Sequence, residues 1–117
     1  MRFMMLMIPR EYASAPAHDE IDAMARYNQT LKEAGVLLAL DGLLPPSAGA
    51  RVSFSGAGKP VVTDGPFAEA KEALGGYWVI DVRSREEAVA WASRCPAGPG
   101  DVIEIRQVDE ADPFPAE

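Results

Sequence analysis

The nine residues Asp64-Gly65-Pro66-Phe67-Ala68-Glu69-Ala70-Lys71-Glu72 hold three carboxylates, one ammonium and one aromatic ring around a Gly-Pro turn. Carboxylates beside an ammonium can push their pKa values apart, which proton-transfer chemistry requires. In that reading Asp64, Lys71 and Glu72 are the candidate catalytic groups, and Phe67 and Glu69 line a pocket. A structural reading fits the same residues. Asp64 would accept local amide bonds in an Asx-type turn, Phe67 would plug the core, and Lys71 would pair with a glutamate at the surface.

A second set, Arg26-Tyr27-Asn28, falls within a helical pattern. Arg26 could bind an anion and Tyr27 or Asn28 could hydrogen-bond a ligand, unless the three merely form a solvated helix face. His18 is the sole imidazole, placed where that helix begins, and reads either as a neutral general base or as an exposed surface residue. Cys95 precedes Pro96 at a helix C-terminus, where the dipole raises a thiol pKa, so it reads as a small core residue. Trp78 and Trp91 read as core. Gly56-Ala57-Gly58-Lys59-Pro60 imitates a phosphate loop, but it lacks the first glycine and the Ser or Thr, and it joins two strands.

The elements that must position these groups follow from hydrophobic spacing. Residues 3–8 form a continuous apolar run ended by Pro9, predicting a central strand. Residues 19–34 place Ile21, Met24, Ala25, Asn28 and Leu31 at helical spacing, with Asp19 as the expected cap and Gly35 as the left-handed stop. A second strand is predicted over 36–40, and a hairpin from 51–55 to 61–63. Residues 77–82 are aromatic and β-branched, predicting another strand. Ser84-Arg85-Glu86-Glu87 is a capping box, with Glu87 expected on the Ser84 amide, and its helix should turn Ala88, Val89, Ala92 and Cys95 inward. Residues 102–108 alternate as a last strand, and the tail 109–117 is acidic and expected to be loosely ordered.

This order predicts an α+β ferredoxin-like sandwich, an antiparallel sheet with two helices on one face. The uncovered face would keep apolar side chains from among Val52, Phe54, Tyr77, Val79 and Ile105, which predicts a homodimer packed sheet on sheet.

Composition narrows the function. The 117 residues carry 11 basic and 18 acidic side chains, a net charge of −7, with one His and one Cys. The acidity argues against nucleic acid, and the lone Cys and His against an intramolecular disulfide or a zinc site. The N-terminal apolar run is too short for a signal peptide and no run could span a bilayer, so no membrane association and a cytoplasmic location are expected.

The nine-residue motif, preceded by Val62-Thr63 and followed by Gly75-Gly76-Tyr77-Trp78, resembles the signature of the DGPF branch of the YCII-related family. Further agreement comes from Ala34-Gly35-Val36-Leu37, Gly49-Ala50-Arg51-Val52, Arg94-Cys95-Pro96 and Ile103-Glu104-Ile105-Arg106. The resemblance covers residues 1–108 and leaves 109–117 as a tail. It implies a dimeric α+β barrel and a bacterial protein without a settled activity; no cofactor is expected. That activity would be a small-molecule pocket or, alternatively, an accessory role beside a regulator such as an extracytoplasmic-function sigma factor. Better-studied relatives use a His on the first helix with an Asp near the end of the second. Those positions fall at Met24 and Cys95, so the relay does not carry over and any chemistry must use the motif's own groups. Asp41 stands where the branch often has Glu, keeping a charge near the pocket.

Overall fold

The computed structural model describes residues 1–10, 18–56, 58–65, 73–114 and 116. Its elements run β1 (Arg2–Ile8), α1 (His18–Glu33), β2 (Leu37–Gly42), β3 (Ala50–Ser53), β4 (Val61–Asp64), β5 (Gly76–Asp81), α2 (Arg85–Ser93) and β6 (Val102–Gln107). A short 3-10 turn at Pro46–Ala48 precedes β3. The main sheet has the order β2-β5-β1-β6, every neighbouring pair antiparallel. Each helix therefore crosses over one intervening strand, which is the ferredoxin-like arrangement.

The two faces of the sheet follow from the register. Phe3 stands opposite Ile80, and Met5 opposite Trp78 and Ile105. These residues turn toward the helices, where Leu31 and Tyr27 of α1 and Ala88 of α2 complete a buried cluster. Phe3, Met5, Leu31 and Ile80 are almost wholly removed from water, each contributing about 1.5–3 kcal/mol of hydrophobic stabilisation. The Tyr27 hydroxyl donates to the Trp91 carbonyl oxygen at 2.8 Å, tying the two helices together.

Helix ends obey local chemistry. Gly35 adopts φ +75°, and the amides of Gly35 and Val36 donate to the Lys32 and Leu31 carbonyls, a Schellman closure of α1. Ser84 Oγ accepts the Glu87 amide, as the capping box requires. Glu87, however, reaches back one residue further than expected and accepts from the Arg83 amide. Asp19 does not cap α1: the helix already begins at His18, and the Asp19 carboxylate takes the amide of Glu20. Val89 is not turned inward but is 39% exposed.

The opposite face of the sheet is uncovered. Met4 and Leu6 of β1 lie beside Val79 and Tyr77 of β5 there, flanked by Glu104 and Arg106 of β6. This corrects the expected membership of that face. Ile105 packs on the helix side, and Val52 and Phe54 belong to the separate β3–β4 ribbon. All eight residues of that ribbon's strands are exposed. The radius of gyration, 16.8 Å, exceeds the roughly 13 Å of a compact chain of this length.

Strand β2 carries a bulge between Leu37 and Ala39, which leaves Leu38 without an opposite residue and exposed. At the other edge the acidic tail begins in an anchored way. The Arg2 guanidinium grips both carboxylate oxygens of Glu110 at 3.1 and 2.9 Å, so the start of the tail is tethered rather than loose.

Candidate functional site

Two cavities open between α1 and the end of the sheet. The larger, about 720 Å³, runs between the N-terminal half of α1 and the loop after α2. The smaller, about 260 Å³, lies between α1 and the junction of β2 with β5. Met7, Met24 and Asn28 line both, so these three side chains stand where the two chambers meet. Apolar wall comes from Ile21 and Pro96 in one chamber and Leu40 and Trp78 in the other, with Glu20 and Asp101 lining the first and Asp41 and Tyr77 the second. Ile21 is 50% exposed although it lies on the inward stripe of α1, because that stripe faces a cavity there instead of the packed core.

Sequence and fold together explain this hollow. The turn spacing of α1 that buries Tyr27 and Leu31 against the sheet places Met24 and Asn28 at the edge of the packed cluster, where Met24 packs against the core on one side and lines the cavities on the other. Gly76 begins β5 at the cavity floor, and a Cβ there would meet the Asp41 carbonyl oxygen at 2.8 Å. Glycine at this position lets β2 approach β5 while leaving the chamber open.

The polar groups on the walls are mostly committed. Trp78 Nε1 donates to Asn28 Oδ1 at 2.8 Å. The Tyr77 hydroxyl donates to Asp41 Oδ2 at 2.6 Å, and that charged acceptor raises the Tyr77 pKa. Asp101 accepts the Arg10 amide on one oxygen and the Gly98 amide on the other, pinning the loop that forms the outer wall.

The residues singled out from sequence separate into distinct places. Asn28 faces the cavities. Tyr27, its neighbour, is buried on the core side and bonded to Trp91, and burial pushes its phenol far above the ordinary range. Arg26 is exposed on the far side of α1, and Asp64 is exposed at the end of β4. Among the described residues, neither cavity takes a wall from Arg26, Tyr27 or Asp64. Phe67, Glu69, Lys71 and Glu72 lie outside the described residues. His18 is exposed at the first position of α1, 3.8 Å from Asp22.

Met24, where the resemblance places a relay histidine, lines both chambers. Cys95, at the matching acidic position, is half-buried against the core. Sequence reasoning passed over the cavity role of Met7, Ile21 and the loop around Asp101. The one available signal was that an inward helical stripe extends further toward the N-terminus than the core it could pack against.

Burial, with a smaller contribution from the charge of Asp101, pushes the Cys95 thiol up to about 11. At pH 8 only about one thiol in a thousand is then ionised, and the thiolate is the reacting form. Alkylation of the native protein by iodoacetamide is expected to run about a hundredfold slower than that of a free cysteine. A rate equal to that of the urea-unfolded chain would contradict this placement. Because the folded state favours the protonated thiol, this contribution to stability is present below about pH 9 and is lost as the pH rises through 11. Tyr27 acts in the same direction.

Among the described residues no cluster of His, Cys, Asp or Glu could hold a metal ion, and no helix is long and apolar enough to cross a membrane. The chain matches the family model of the YCII-related domain over residues 1–112, four residues beyond the boundary read from sequence. It is similar to an uncharacterised protein of Rhizobium meliloti (strain 1021), with 47% identity over 60 residues. That stretch is 51% of this chain and 48% of the relative, so the match spans about half of each.

Proposed function

The chain belongs to the YCII-related domain family, and from that premise we propose that it binds or transforms a small organic molecule in the paired cavities beneath α1. The carrying observation is the junction at Met7, Met24 and Asn28. There an apolar hollow meets a fixed polar group, the usual composition of a small-molecule site. The Asp64–Glu72 motif supports placing the chain in the DGPF branch. Lys71 and Glu72 are proposed to supply any chemistry, since Met24 and Cys95 cannot form a His–Asp relay, and Asp64, exposed on β4 away from the described cavity walls, is proposed to order the motif's turn.

The working form is proposed to be a homodimer. Met4, Leu6, Tyr77 and Val79 support this, because an apolar sheet face without helices is most simply covered by a second copy.

Both parts are open to direct measurement. Light scattering should return twice the 12.6 kDa of the chain, and a monomer in dilute solution would refute the dimer. For the site, the test is titration with 2-acetylnaphthalene and related naphthalenes while following the Asn28 side-chain amide and Trp78 indole resonances. Shifts at both are expected; if neither moves with any of these compounds, the cavities are not the ligand site. A Lys71→Ala variant that keeps its melting temperature and mass but no longer shows these shifts would tie the motif to the cavity.

A further inference from the structure

Trp78 determines which way the Asn28 amide points. An indole N–H can only donate, so the group 2.8 Å from it must be the Asn28 carbonyl oxygen. The Asn28 NH₂ is thereby left with its two N–H donors on the side chain that lines both chambers. Elsewhere on the described walls the charged groups are Glu20, Asp41 and Asp101, and no Lys, Arg or His stands among them. On these described walls an anionic ligand would meet the carboxylates of Asp41 and Asp101 and no cation. An apolar ligand without an acceptor would cover the Asn28 donors and leave them unpaired, which is costly.

We propose that the ligand is an uncharged, largely apolar molecule carrying a carbonyl acceptor, seated with that oxygen on Asn28 Nδ2. This rests on the cavities being the ligand site and adds the chemical class they select. The ligand's hydrocarbon body lies against Met7, Ile21, Met24 and Leu40, and Trp78 acts as a positioning residue that locks the amide.

Three probes of one shape decide the matter on the unmodified protein at pH 7.5. These are 2-acetylnaphthalene, 2-isopropylnaphthalene, which replaces the carbonyl by hydrocarbon, and 2-naphthoate, which is anionic. The ketone is expected to bind about tenfold tighter than the hydrocarbon, with naphthoate weakest, and to shift the Asn28 side-chain amide pair. Asn28→Asp retains the acceptor toward Trp78 but loses the donors. It should erase the ketone preference while the Trp78 indole resonance stays in place. Equal binding of ketone and hydrocarbon, or naphthoate binding as tightly as the ketone, overturns the proposed class and leaves the cavity reading intact. If none of the three binds, the cavity reading fails and this proposal with it. Should the variant not fold, the comparison of probes on the unmodified chain still decides.

Discussion

Replacing Phe3 with Ala is expected to lower the unfolding free energy by about 3–5 kcal/mol. The ring is 2% exposed and sits on β1, which is hydrogen-bonded on one side to β5 and on the other to β6. Ladders on both sides keep the backbone from closing over the space left by the ring, so the cost includes a cavity as well as lost burial. Domains are stable by only about 5–15 kcal/mol, so the melting temperature should drop by on the order of 10–20 °C. Urea titration should show a lower midpoint with an unchanged slope. Phe54→Ala serves as the comparison. That ring is 81% exposed on the ribbon, and its loss from the isolated chain should change stability by no more than about 0.5 kcal/mol. A Phe3→Ala loss below about 1 kcal/mol would mean that the core is not centred on β1.

Met24→Trp is expected to weaken binding of 2-acetylnaphthalene by at least about tenfold while leaving the fold nearly as stable as before. The side chain stands where the two chambers join, so a rigid indole fills the space a ligand body would occupy. Overpacking normally costs 1–3 kcal/mol in a filled core, but here the added atoms enter a hollow. Melting temperature and affinity should therefore part company. Undiminished binding to a well-folded variant would place the ligand elsewhere, whereas a large fall in melting temperature would show that the chambers are closed in solution.

Much of the fold is written in short-range signals. Gly35 and Ser84 mark helix ends through chemistry confined to a few residues and act where expected, while Glu87 closes on the Arg83 amide one residue further back. The β1 run Phe3-Met4-Met5-Leu6-Met7-Ile8 is apolar throughout, so its composition marks it as central without saying which side chains face the helices. Only pairing with Trp78 and Ile80 sorts Phe3 and Met5 from Met4 and Leu6. Asp19 is ambiguous as a helix-start signal because Asp favours both the cap and the first turn of a helix, and α1 begins at His18.

The site was less visible for the same reason. Asn28 stands out as a polar residue on an apolar stripe, but its partner Trp78 lies 50 residues away, and nothing local announces that contact. Tyr27 and Asn28 are adjacent in sequence, yet the helix turns one into the core and the other toward a hollow. Met7 and Met24 look like ordinary core methionines until the space beside them is seen.

The bulge in β2 bears on how copies of this chain can avoid the wrong kind of association. A four-stranded sheet has two open margins, and unpaired backbone there is a template for strand addition and fibrous growth. At the β2 margin, the displaced register at Leu37–Ala39 breaks the regular row of amides and carbonyls that an incoming strand would need. At the β6 margin, Glu104 and Arg106 place charge on successive outward positions. Straightening β2 by deleting Leu38 would therefore turn a guarded rim into an adhesive one, and the variant's hazard would be insoluble ribbons rather than simple unfolding.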